Sequence, residues 1–131
     1  MKKLLFFSII TFGGLLFMNF NSVQTKEFNP VNDKYEVPEN VQAIIDKSCF
    51  GCHHSDSKNE KGKKKLSWDL MKNGYKTHKI IAKLGEIEES LQKNEMPPEK
   101  FLAKYPDKKL SDADRDIMIS WARETAKTMS E

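Results

Sequence analysis

The sequence predicts an all-α domain, and three observations predict it. Apolar residues recur at spacings of three and four in three separate stretches. No stretch alternates with period two for long enough to make a strand, and residues that start and stop helices bracket the periodic runs. With 131 residues, 38% hydrophobic and 31% charged, the chain supports one domain at most. A mean hydropathy of -0.64 excludes a polytopic membrane protein, and two cysteines exclude a small scaffold held by several disulfides. The formal net charge of +3 is too small and too evenly spread for nucleic-acid binding by phosphate neutralisation.

The first element is a targeting segment. Lys2 and Lys3 precede an apolar stretch from Leu4 to Phe20, which reads as a secretory signal over residues 1–22. The stretch is at the lower limit for crossing a hydrocarbon core of about 30 Å. Asn19-Phe20-Asn21-Ser22 lacks the small-x-small pattern of a cleavage site, so retention as an N-terminal membrane anchor is the alternative. Both readings put the domain in the periplasm or another exported compartment. Residues 23–37, with Pro30 and a run of Asn, Asp and Lys, lack a helical period and read as a tether or extended wrap.

The domain proper spans residues 38–131. Pro38 suits a first helical turn, and Val41, Ile44, Ile45 and Cys49 form one apolar stripe that aims Cys49 at the core. Residues 54–65, Ser-rich and then Lys-rich around Gly62, read as a solvated loop, with Lys63-Lys64-Lys65 serving surface solubility. Trp68, Leu70 and Met71 suggest a short helical turn that Gly74 could end. Ile80, Ile81, Leu84, Ile87 and Leu91 follow at helical spacing, as one helix weakened at Gly85 or as two short ones. Met96-Pro97-Pro98 stops that helix, because proline lacks the amide donor and restricts the residue before it; residues 96–110 should be irregular. Ser111-x-x-Asp114 resembles a capping box and opens a last helix with Ile117, Met118, Trp121, Thr125 and Met129 on one face.

The chemistry lies in Cys49-Phe50-Gly51-Cys52-His53. A thioredoxin-like redox pair would use C-x-x-C, but with a helix N-terminus lowering the first thiol's pKa, whereas these cysteines close a helix. Zinc would need further ligands, and the other histidines are His54, adjacent to His53 and awkward for a tetrahedron, and His78. Covalent haem attachment needs C-x-x-C-H: two thiols a helical turn apart to form thioethers, and an imidazole one residue on to bind iron. An exported chain is where such attachment takes place, and the apolar helices supply walls for a porphyrin. The motif is read as the site of one haem c, held through two thioethers.

From Val37 to Glu131 the chain resembles the small secreted haem-binding domain family, a branch of single-haem c-type cytochromes. The matching residues are Val37-Pro38-x-x-Val41 leading through Ile44-Ile45 and Ser48 into the cysteine motif, then Met96-Pro97-Pro98, then Leu110-Ser111-Asp112 opening a helix that carries Trp121-Ala122. The resemblance implies a compact, cytochrome c-like helical fold around one covalently bound haem, with His53 as proximal ligand and Met96 as distal ligand. Between Ser55 and Asn94 the pattern is followed loosely, without the Pro-Trp-Tyr stretch that many relatives carry after the haem motif.

Met96 stands before a prolyl-rigidified segment that would hold its thioether at a fixed distance from iron. His78 is its rival, and bis-His ligation would lower the potential. His54 is read as facing solvent or the haem carboxylates, Trp121 as packing, and Tyr75 and Tyr105 as candidate donors to a carboxylate. Iron with two protein ligands has no open position for substrate, so the reading is an electron carrier that is not an enzyme, with redox proteins as partners and no nucleic acid. The alternatives are a haem-based sensor or peroxidase-like enzyme with an exchangeable sixth ligand, and a C-x-x-C thiol redox protein.

Overall fold

The computed structural model describes residues 35–131, so the signal and most of the tether lie outside the described residues. Helix α1 (Glu39–Ser48) starts after Pro38, carries Glu39 in its first turn and Lys47 in its last, and buries Val41, Ile44 and Ile45. Helix α3 (Trp68–Asn73) ends at Gly74, and α4 (Thr77–Gln92) runs unbroken through Gly85, burying Ile80, Leu84, Ile87 and Leu91. Helix α6 (Asp112–Ser130) begins with a full capping box. Ser111 Oγ accepts from the Asp114 amide at 3.0 Å, and the Asp114 carboxylate accepts from the Ser111 amide at 3.4 Å.

Helices α4 and α6 pack antiparallel as the main body, with α1 laid against α6. Arg115 donates to the Leu91 carbonyl at 3.1 Å and so satisfies the C-terminal end of α4; Arg123 donates to Glu88 a few turns along. The core between them is Ile80, Leu84, Met118 and Ala122, with Ile45 from α1 and Met71 from α3. Among the described residues there is no strand, and no helix is long and apolar enough to cross a membrane. The predicted all-α class is the one observed.

Four local expectations change, the first being the helix stop: α4 ends at Gln92, where Asn94 turns with φ 56, ahead of Met96-Pro97-Pro98. Residues 54–65 are not all loop: Asn59 caps a short helix, α2 (Glu60–Lys65), by accepting from the Gly62 amide at 2.9 Å. The Lys-rich composition hid it, since a helix with one buried residue has no apolar stripe. Residues 96–110 contain a turn of helix, α5 (Glu99–Leu102), and a 3-10 turn (Pro106–Lys108). Ile117 is exposed, and Ala122 takes the place in the core expected of that face. The wrap is visible from Tyr35, whose buried ring leans on Trp121 at 6.2 Å while Trp121 Nε1 donates to the Glu36 carbonyl at 3.0 Å.

Candidate cofactor site

At the end of α1 the chain turns instead of stopping. The amides of Cys52 and His53 both donate to the Cys49 carbonyl at 3.2 Å, which keeps the two thiols and the imidazole in one tight loop. The Trp68 amide then donates to the His53 carbonyl at 2.9 Å and ties the loop to α3. Asp69, in the first turn of α3, accepts from the Ser55 amide at 3.1 Å and from the hydroxyls of Ser55 and Ser67. These donors hold its carboxyl at about 2, well below the usual carboxylate range.

His53 is oriented by α2. Its Nδ1 lies 3.0 Å from the Gly62 carbonyl oxygen; a carbonyl only accepts, so Nδ1 carries the proton and Nε2 keeps its lone pair. Burial lowers the imidazole below its ordinary range, and hydrogen bonds to the Gly62 and Leu66 backbone oppose this without reversing it. The group is therefore a neutral ring with one nitrogen pinned, the arrangement typical of a metal-binding histidine. Gly62 is required by close approach. A Cβ there would stand 2.5 Å from the Cys52 carbonyl oxygen, a distance that real side chains do not adopt.

Cys49, Cys52, His53 and Met96 all line one cavity of about 340 Å³, within the range of cofactor sites. They come from the α1 end, the turn after it and the segment between α4 and α5. Leu66, Ile87, Leu91, Leu110 and Met118 make its walls apolar. Met96 is partly exposed at the rim, whereas Met118 is fully buried. His78 is exposed in the first turn of α4 and does not line the cavity; His54 stacks on Phe50 at 4.9 Å outside it. Tyr75 lies under Lys79, Tyr105 packs on Phe101, and neither tyrosine lines the cavity. Trp121 stands behind Trp68, ring centroids 6.1 Å apart, as packing.

The two cysteines form no disulfide, and burial pushes the Cys49 thiol up to about 12, with Cys52 acting in the same direction. A thiol held protonated is a poor exchange nucleophile. Two features of the cavity escaped the sequence reading. The hydroxyl of Ser48 and the indole N–H of Trp68 are buried without a hydrogen-bond partner, and both residues line the cavity. Trp68 read only as an apolar helical residue. Gly62 had a legible signal, a glycine inside a run of lysines, which argues for close backbone approach. Two unpaired thiols, a neutral imidazole with a free nitrogen, a thioether, apolar walls and an unsatisfied donor make a set that fits a haem.

A family model described as a haem-binding domain matches residues 55–124, just over half of the chain. The matched stretch starts after His53 and includes Met96 and Trp68. No curated protein and no solved structure matches the chain.

Proposed function

Because the chain belongs to the haem-binding domain family, we propose that it is an exported single-haem c-type cytochrome, an electron carrier and not an enzyme, with redox proteins as partners. The observation that carries the reading is the convergence of Cys49, Cys52, His53 and Met96 on one apolar cavity. Bound haem supplies one-electron chemistry, its iron passing between ferric and ferrous states.

The protein's own residues supply attachment, orientation and exclusion of water. Cys49 and Cys52 would hold the porphyrin through thioethers, for which unpaired thiols a turn apart are the requirement. His53 would present Nε2 to iron, its ring angle set by the Nδ1 bond to Gly62, and that bond strengthens the imidazole as a donor. Met96 would present its sulfur from the segment between α4 and α5, and a thioether ligand favours the ferrous state and so a higher potential. Leu66, Ile87, Leu91 and Met118 would keep water from the ring, which reduces the solvent rearrangement that accompanies electron transfer. Export rests on the basic flank and apolar stretch of residues 1–22 and on the compartment in which thioether attachment takes place.

The test is the full chain produced with a haem-attachment system. Haem should stay on the polypeptide in a denaturing gel, a pyridine haemochrome should report two thioethers, and carbon monoxide should leave the reduced spectrum nearly unchanged. Haem that separates on denaturation would overturn covalent attachment. A carbon monoxide shift would replace the carrier with a sensor or a peroxidase-like enzyme.

A further inference from the structure

The described chain enters the fold at one corner. Tyr35 and Val37 share a surface hollow with Lys72 and Asn73, the last two residues of α3, and Glu36 between them does not line it. From Leu70 to Gly85 the chain carries four lysines and no acidic residue; the acids of α4 begin at Glu86. Lys83 pairs with Glu86 at 2.7 Å, whereas Lys72, Lys76 and Lys79 are exposed and make no ion pair among the described residues. Asp69, three residues before Lys72, is engaged by Ser55 and Ser67. Apolar surface lies beside these charges. The Lys79 ammonium stands 4.1 Å over the Tyr75 ring, and exposed Leu70 lies against Gly74, where a Cβ would come 2.7 Å from its Cδ2.

Cations on long stems around an aromatic ring and an aliphatic side chain suit the boundary between water and lipid, because the ammonium groups stay among the phosphates while stems and rings reach the acyl edge. The segment that leads into this corner is the one read above as a signal or a retained anchor. Fourteen residues separate Phe20 from Tyr35, and fully extended they reach about 50 Å. A domain held that close to a bilayer meets it at a high effective concentration, so a few lysines suffice for contact. The corner beside Tyr35 is the one the bilayer meets without the chain passing round the domain. We infer that the corner formed by Lys72, Tyr75, Lys76 and Lys79 rests on an anionic lipid surface, its ammonium groups paired with headgroup phosphates. The inference rests on the export proposed above and on retention of residues 1–22 as the anchor. An acidic protein would answer the charges equally, but not their place at the entry of the chain. None of the four residues lines the cofactor cavity, so lipid at this corner covers none of the cavity's lining.

The experiment takes the full-length holoprotein from an exporting cell and inserts it in vesicles of phosphatidylglycerol or of phosphatidylcholine. Its intact mass comes first: loss of residues 1–22 would defeat the anchor, and with it this inference, without touching the haem reading. With the segment present, limited acetylation read by mass spectrometry should slow at Lys72, Lys76 and Lys79 on phosphatidylglycerol by about fivefold or more, the factor that one lysine gains at such a surface. Lys100 and Lys104, exposed elsewhere, should label alike on both lipids. High salt should abolish the protection, since it screens the headgroup charge. Equal labelling of the corner on the two lipids overturns the proposal, and protection confined to Lys61 and Lys64 of α2 overturns it by placing the contact elsewhere. Protection by polyglutamate that the vesicles do not give would overturn it in favour of an acidic protein.

Discussion

The Gly62 carbonyl accepts the Nδ1 proton of His53 at 3.0 Å, so a glycine in a six-residue, lysine-rich helix sets the direction of the imidazole. The bond exists only because α2 lies against the Cys52 carbonyl, where no larger residue fits. Gly62→Ala should push α2 away and release His53. Overpacking of this kind costs about 1–3 kcal/mol, and each kcal/mol lowers the Tm of a domain this size by about 4–8 °C. A thermal melt at the wild-type temperature would remove Gly62 from this role.

Replacing Cys49 and Cys52 together with Ala should leave the polypeptide without covalent haem and largely unfolded. The cofactor would fill the cavity at the centre of a small domain, and a ligand that binds only the folded state supplies its stability. Circular dichroism and a denaturing haem stain check this. Wild-type helicity with a cooperative melt in the haem-free double variant would contradict it.

Met96→Ala should open the sixth position, turn the iron partly high-spin, lower the potential and create carbon monoxide binding. Met96→His should keep the iron low-spin at a lower potential. His78→Ala should change neither spectrum nor potential, since His78 is exposed away from the cavity. Met118→Leu, at a buried wall position, should cost stability without changing spin state. High-spin iron in Met118→Leu, with Met96→Ala silent, would move the ligand to Met118.

Asp69 links stability to acid. Its folded carboxyl sits at about 2 against an ordinary value of 3.8, so the unfolded chain binds the proton more readily. The contribution is complete above about pH 4 and is lost as pH falls towards about 2. Asp69→Asn should remove that part of the pH dependence. Urea midpoints measured across this window in both proteins test it, and parallel pH profiles would show that Asp69 contributes nothing.

Gly85→Ala should stabilise the protein by about 0.5–1 kcal/mol. The residue is exposed within α4, and a Cβ there meets no atom within 4 Å. A lower Tm in the variant would show that the backbone at Gly85 is constrained in a way its surroundings do not reveal.

The sequence by itself determined whatever depends on neighbours a few residues apart. The stripes of α1 and α4, the Ser111–Asp114 capping box and the C-x-x-C-H spacing are local, because helical periodicity and capping act over three or four residues. Tertiary structure decided the rest. Trp121 finds its acceptor in Glu36, 85 residues away, and this anchors the segment read as a tether. Helix α2 has no apolar stripe and is held by the contact of Gly62 with Cys52 and by its Asn59 cap. Ile117 has helical spacing but points outward, since the face of α6 that α4 covers is centred on Met118 and Ala122. The unpaired N–H of Trp68 is a property of burial, and a residue's burial depends on what the distant chain packs around it.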